Sequence, residues 1–351
     1  MTRNSLQEEY DVKNERVLVT GAGGFVAVHC IIQLLEQGYP VRGTLRDLER
    51  EPDLRATLSR FVDAGDRLEL VEADLLEDEG WGAAMRGCAY ALHVASPFPL
   101  REPENEDDLI QPAVDGTRRV LRAAAEAGVR RVVQTSSIAA VIYGHGPDKH
   151  YFTESDWSNT AAPIGGYVRS KTLAERAAWE FVQHLPEAHP MELAVINPGW
   201  VLGPLPDTRQ RTSGELILQL LKGQPGVARN HYNGVDVRDV AAAHLAAMTR
   251  PEAAGQRFIC VGTNFWMKDA AVILREHFRS RGYNVRTNEI PSWLIRLLAL
   301  FDPTIRLTVP SLDWWVEPSS ERIRKVLGWR PRGLEEMIVS MAESLIELKV
   351  V

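Results

Sequence analysis

The sequence predicts an α/β fold: a doubly wound parallel sheet with a smaller C-terminal lobe. Three observations predict it. The β-branched run Arg16–Val19 leads into a glycine turn and then into apolar residues at helical spacing (Val28, Ile31, Ile32, Leu35). Strand-like and helix-like runs then alternate as far as residue 196, the pattern of repeated βαβ units. Past residue 200 that rhythm fades into short apolar elements rich in tryptophan.

Bulk properties fit this division. A length of 351 residues suits a sheet domain plus a second lobe, and 45% hydrophobic residues allow a sizeable core. The net charge of −7, with no basic block, argues against a nucleic-acid partner. Cys30, Cys88 and Cys260 have no metal-ligand spacing and read as buried free thiols in a reducing compartment. The polar N-terminus lacks a signal core, and no apolar window is long enough to span a bilayer. A soluble, cytoplasmic protein is expected, monomeric or homodimeric, with residues 1–15 a flexible leader, 16–200 the sheet domain and 201–351 mainly the second lobe.

The elements follow in order. A helix over Phe25–Glu36 stops at Gly38. Pro40–Leu45, Leu68–Val71 and Ala89–Ala95 are the second to fourth strands, the last followed by the loop Ser96-Pro97-Phe98-Pro99. A long helix over Asp107–Ala127 precedes the fifth strand, Arg131–Thr135. A helix over Tyr167–His184 leads to the sixth strand, Met191–Ile196, and to the irregular Asn197–Pro204. Ser213–Lys222 reads as helix, Arg257–Val261 as strand and Glu335–Leu348 as a final amphipathic helix.

Strand, glycine turn and helix start leave backbone N–H groups aimed at one spot, with a positive helix end behind them, which is a geometry for pyrophosphate. The spacing is G-x-x-G-x-x-A at Gly21, Gly24 and Ala27. The second strand ends in Leu45-Arg46, where an acid would bind a ribose 2′-hydroxyl. Arg46, with Arg50 four residues on, can instead grip a 2′-phosphate, which favours NADPH; Asp47 keeps NAD open. Asp74 reads either as an adenine contact or as a cap on the next helix.

Chemistry points to Thr135-Ser136-Ser137, at a strand's carboxyl end, and to Tyr167 and Lys171, four apart on one helical face. A nearby ammonium is expected to lower the phenol's pKa, and a serine hydroxyl can hold a carbonyl oxygen as charge develops. His145 reads as a solvated loop histidine and His244 as structural. Five of the nine tryptophans fall in residues 263–330 and read as part of a lobe closing over an apolar substrate.

The segments VTGAGGFVA, RGTLRD, ADL, HVASPF, QTSSI, YVRSKTLAERAAW, NPGWVLGP, RTSGEL and VDVRDVAAAHL together resemble the extended short-chain dehydrogenase/reductase family, which has a Rossmann-type fold. The dihydroflavonol reductase-like branch, with its cinnamoyl, methylglyoxal and broad carbonyl reductases, is the nearest in pattern. The resemblance covers residues 15–262 clearly and the rest loosely. It implies that Gly21, Ala22, Gly23, Gly24, Phe25 and Val26 cradle the pyrophosphate, that Arg46 and Arg50 take the 2′-phosphate, and that Asp74 and Leu75 flank adenine. Ala95, Pro198, Val201 and Ser213 would complete the cofactor site. Ser137, rather than Ser136, would orient the carbonyl, Tyr167 would donate the proton, and Lys171 would hold the nicotinamide ribose and tune Tyr167. Ser96, Phe98 and Trp200 would join Ser137 and Tyr167 around a small apolar or aromatic carbonyl substrate. The family's asparagine in the helix after the fourth strand is not evident around Val114–Val120, and Ala27 replaces a frequent glycine. The expected activity is NADPH-dependent reduction of an aldehyde or ketone. Its alternatives are an NAD-dependent nucleotide-sugar epimerase or dehydratase, a steroid dehydrogenase or isomerase, and a non-catalytic NADP sensor.

Overall fold

The computed structural model describes residues 15–96, 105–186, 190–302, 305 and 309–351. Its strands are β1 (Arg16–Val19), β2 (Val41–Leu45), β3 (Leu68–Glu72), β4 (Cys88–His93), β5 (Arg131–Thr135), β6 (Tyr151–Phe152), β7 (Glu192–Pro198), β8 (Trp200–Leu202), β9 (His231–Asp236), β10 (Arg257–Cys260), β11 (Thr263–Trp266) and β12 (Glu317–Pro318). Its helices are α1 (Phe25–Glu36), α2 (Glu51–Leu58), α3 (Trp81–Met85), α4 (Asp107–Glu126), α5 (Gly165–Gln183), α6 (Glu215–Leu221), α7 (Val237–Thr249), α8 (Met267–Phe278), α9 (Ser292–Leu298), α10 (Glu321–Leu327) and α11 (Leu334–Glu347).

A seven-stranded parallel sheet runs in the order β10-β7-β5-β4-β1-β2-β3. The order reverses around β1, so the carboxyl ends of β1 and β4 flank a crevice at a topological switch point. Both faces of the sheet are covered, which is why its strands read as continuous apolar runs rather than alternating ones. Val17 and Val19 pack towards α1 and α7, while Leu18 between them packs towards α4 and α5.

β8, β9 and β11 form a second, three-stranded sheet. Around it, Ile217, Leu221, Leu274, Met341 and Leu345 from α6, α8 and α11 build a separate apolar core. β10 returns to the large sheet, and Ile323 and Leu327 of α10 join the core on the α1/α7 face. Polar ties join the two parts. His29 Nε2 donates to the Pro204 carbonyl at 3.0 Å, Gln33 to that of Arg238 at 2.8 Å, and Arg60 to that of Pro206 at 2.8 Å.

Three boundaries differ from the sequence reading. β4 stops at His93 because the Ala95 N–H turns away to the Thr20 hydroxyl, at 2.9 Å. β7 continues through Pro198 because β10 lies alongside it, pairing Cys260 with Pro198, and the Gly199 N–H takes up the next bond to the Cys260 carbonyl at 3.1 Å. The helix read over Ser213–Lys222 is a 3-10 segment, Thr208–Gly214, followed by α6. Cys30, Cys88 and Cys260 are buried and free. Among the described residues, no helix is long and apolar enough to cross a membrane.

His29, His93 and His244 are buried within this framework. Desolvation pushes them down to about 4, about 3 and about 4. The folded state therefore keeps them neutral while the unfolded chain takes up protons below about 6.5, so stability falls as pH drops from there towards 4. The urea midpoint should decline steadily over that interval, and His244→Gln should make the decline shallower. A midpoint constant from pH 6.5 to 4 would contradict buried neutral imidazoles.

Candidate active site

The glycine turn is built by contact with its neighbours. Gly21 has φ +64°, and a Cβ placed on it would lie 3.0 Å from the Ala95 Cβ. Gly21 N–H donates to the Thr44 hydroxyl at 3.0 Å and Ala22 N–H to the Thr44 carbonyl at 2.9 Å, pinning the turn to the end of β2. Helix α1 begins after Gly24 with no side-chain cap and no acid in its first turn. Its positive end is thus left for an exogenous anion. Phe25 packs edge-on against His29, with ring centres 5.7 Å apart, and Val26 against the main core.

Arg50 lies over this turn: its Nη2 is 3.6 Å from the position of a Gly23 Cβ, and Leu45 Cδ2 is 3.8 Å from it. Arg46 is exposed at the end of β2. Asp47 caps the short 3-10 turn Leu48–Arg50, accepting from the Glu49 N–H at 2.8 Å. One guanidinium, that of Arg50, thus stands over the glycine turn and a second, that of Arg46, is exposed at the end of β2, while the Asp47 carboxylate is engaged locally. Asp74 caps no helix, because α3 starts only at Trp81; its Oδ1 instead accepts from the Leu76 N–H at 3.0 Å. Leu75 packs against Gly116 of α4.

Ser137, Tyr167 and Lys171 converge as their spacing predicts. Ser137 caps the turn after β5, its Oγ accepting from the Ala139 N–H at 3.1 Å, and its hydroxyl hydrogen-bonds the Tyr167 phenol. Lys171, one turn along α5, holds its Nζ 6.0 Å from the centre of the Tyr167 ring. Its charge also reaches His93, whose Nδ1 is 3.1 Å from the Thr20 hydroxyl beneath the glycine turn. Lys171 is thereby linked through His93 and Thr20 to the start of the glycine turn.

The electrostatics reverse one expectation. Burial pushes the Tyr167 phenol above its ordinary value, and the Ser137 hydrogen bond only partly offsets this. Burial also pushes Lys171 down to about 8. Desolvation dominates, so the phenol is pushed up and keeps its proton rather than becoming unusually acidic.

Tyr143 neighbours the Tyr167 phenol, and Tyr232 neighbours Tyr143. Tyr143 packs on Trp314 with ring centres 5.6 Å apart, and burial together with the neighbouring Tyr167 phenol raises its pKa. Trp200 packs on Tyr232 at 4.6 Å and on Phe265 at 6.2 Å, and burial pushes Tyr232 up to about 12. Neither Tyr143 nor Tyr232 stood out in the sequence. Tyr143 lies six residues past Ser137 with no motif of its own, and Tyr232 comes from a strand of the smaller sheet. Pro198 is buried, Ser96 and Val201 are half-buried, and Ser213 lies in the last turn of the 3-10 segment before α6. Phe98 lies outside the described residues.

The late tryptophans do not form a common pocket. Trp314 alone of the five packs on Tyr143; Trp315 stacks on His150, Trp329 is buried in the main core and donates to the Asp239 carbonyl, and Trp293 is 67% exposed. His145 is half-buried rather than freely solvated. Its Nε2 donates to the Val141 carbonyl at 3.0 Å and its ring packs on Phe152.

The profile of the NAD dependent epimerase/dehydratase family matches residues 17–262. The chain belongs to this family, the extended short-chain dehydrogenases/reductases. Within the family it is similar to a cinnamoyl-CoA reductase of Medicago truncatula, 36% identical over 75% of this chain and 81% of that protein. It is also similar to a putative NADPH-dependent methylglyoxal reductase of Candida albicans, 35% identical over 75% and 82%. Among solved structures it resembles the yeast methylglyoxal/isovaleraldehyde reductase complexed with NADPH, with a TM-score of 0.81, 28% identity and coverage of 95% of this chain and 99% of that one.

In this extended dehydrogenase/reductase, Gly21 carries two separable constraints. Gly21→Ala forces an L side chain into left-handed backbone, at about 1–2 kcal/mol, and adds the clash with Ala95. Gly38, with φ +90° and nothing within 4 Å of where a Cβ would stand, carries only the first. In denaturant titrations Gly21→Ala should lose clearly more stability than Gly38→Ala. Equal losses would mean that the Ala95 contact is not limiting.

Proposed function

We propose that the chain is an NADPH-dependent reductase that converts an apolar or aromatic aldehyde or ketone to the alcohol. The observation that carries this reading is the hydrogen-bonded Ser137–Tyr167 pair, with Lys171 on the same helical face, beside the uncapped glycine turn. Arg46 and Arg50 favour the phosphorylated dinucleotide, because guanidinium groups at the end of β2 attract a 2′-phosphate and Leu45 offers no acid to a 2′-hydroxyl. The names of the relatives, which include NADPH-dependent methylglyoxal reductase and cinnamoyl-CoA reductase, support the same chemistry.

Bound at the glycine turn, NADPH supplies a hydride to the carbonyl carbon. Ser137 donates a hydrogen bond to the carbonyl oxygen and stabilises the charge that develops there. Tyr167, kept protonated by burial, gives its phenolic proton to that oxygen. Lys171, while charged, stabilises the phenolate left on Tyr167. Tyr143, Trp200 and Tyr232 offer aromatic surface that suits an apolar substrate body, with Phe265 backing Trp200 from the second core.

Three outcomes test the reading. Tyr167→Phe should lower kcat by roughly 10²–10⁴-fold with NADPH affinity kept, since only proton transfer is removed; retained turnover rules the assignment out. Arg46→Ala/Arg50→Ala should raise the Kd for NADPH by about tenfold or more and that for NADH by a clearly smaller factor, as read by fluorescence titration. Lys171 is charged below about 8 and neutral above it, so kcat for reduction should be level below that pH and fall above it. A profile flat to pH 10 would remove Lys171 from the proposed role.

A further inference from the structure

Behind the catalytic pair lies a buried polar cluster centred on Glu175, which is 0% exposed. Glu175 stands on α5 one turn beyond Lys171 and two beyond Tyr167, along one helical face. The Ser136 hydroxyl donates to its Oε2 at 2.6 Å, and Asn197 Nδ2 donates to the same oxygen at 2.7 Å. Asn197 Nδ2 also donates to the Ser137 carbonyl at 3.1 Å. Arg257 of β10 brings Nε to 2.7 Å from Oε1 and donates from Nη2 to Oε2 at 3.1 Å.

The rest of Arg257 is fixed as well. Its guanidinium lies 3.7 Å from the centre of the Trp157 ring, and Nη1 donates to the Asp156 carbonyl at 2.8 Å. The charges of Glu175 and Arg257 thus compensate each other out of solvent. Asn197 is oriented without ambiguity, because both partners of its nitrogen can only accept. Its Oδ1 is buried with no partner among the described residues. An amide whose oxygen goes unsatisfied while its nitrogen is doubly used is held for its donors.

These contacts tie three parts of the site to one carboxylate. Ser136 precedes Ser137 at the end of β5, Asn197 opens the segment containing Pro198, and α5 carries Tyr167 and Lys171. We propose that Glu175 is a positioning residue for the reduction: its carboxylate, balanced by Arg257, holds the Ser137 strand end and the Asn197 segment in register with α5. It touches neither substrate nor cofactor, and it acts through the Ser137–Tyr167 separation. The proposal rests on the reductase reading given above.

The test measures Glu175→Gln and Ser136→Ala beside the parent, each corrected for active-site content by NADPH titration. Turnover is followed at saturating NADPH, and again with the transferable hydrogen of NADPH replaced by deuterium. Glu175→Gln should lower kcat per active site by about tenfold or more, with KM for the carbonyl and Kd for NADPH changed by no more than about threefold, because small misplacements of reacting groups cost rate rather than binding. Its isotope effect on kcat should rise as hydride transfer becomes limiting. Ser136→Ala, which removes one tie and no charge, should lower kcat in the same direction by a smaller factor with Tm nearly unchanged. It also supplies the answer if Glu175→Gln fails to fold.

A purely structural role would lower Tm and active-site content while leaving kcat per site and the isotope effect at parental values; that result in either folded variant overturns the proposal. Tyr167→Phe measured alongside separates the two levels. Its failure to lose turnover would sink the reductase reading, whereas its loss of turnover beside a parental kcat in either folded cluster variant would sink only the role given to Glu175.

Discussion

Close packing of the glycine turn against the end of β4 fixes where everything else can go. Gly21 meets Ala95 with no room for a side chain on the first, and Thr20 holds the Ala95 N–H out of the sheet ladder. β4 therefore ends early, and the chain opens at the point where the strand order reverses. Helix α1 then starts beside the opening with its orphan N–H groups free of any side-chain cap. The place of the proposed cofactor site follows from that contact.

Desolvation rather than pairing governs the electrostatics of the floor of this crevice. Tyr167 is raised, Lys171 is lowered and His93 is kept neutral, each chiefly by burial. For a reductive step this suits the phenol, because a proton donor must hold its proton before it can give it. The ammonium matters after transfer, when the tyrosine oxygen carries charge. Behind them, Glu175 and Arg257 are a buried pair; such pairs add little net stability, which fits the positioning role proposed for Glu175.

The large sheet was legible in the sequence because its signals are local. Val17, Leu18 and Val19 read as strand, and Gly21, Gly24 and the periodic residues of α1 read as turn and helix, without knowledge of anything distant. Tyr167 and Lys171 were legible for the same reason: four residues on one helix fix a shared face. What escaped depends on partners far along the chain. β7 outran its predicted end because β10 pairs with it from about sixty residues away. Tyr143 and Tyr232 come together only once the smaller sheet packs. The late tryptophans suggested one pocket by composition, yet they go to different places, and Trp293 is left exposed. The phenol's pKa was misjudged because sequence gives the spacing of charges but not how deeply they are buried.

The hydrogen bond between Thr20 and His93 has a further consequence. The Thr20 oxygen accepts from the Ala95 N–H and lies 3.1 Å from His93 Nδ1, and burial disfavours a proton on the imidazole. A protonated ring there would set a second cation beneath Lys171. Keeping it uncharged leaves one titrating cation under the crevice through the mildly acidic and neutral range, so its electric field is insensitive to the acidity changes to which histidines ordinarily respond.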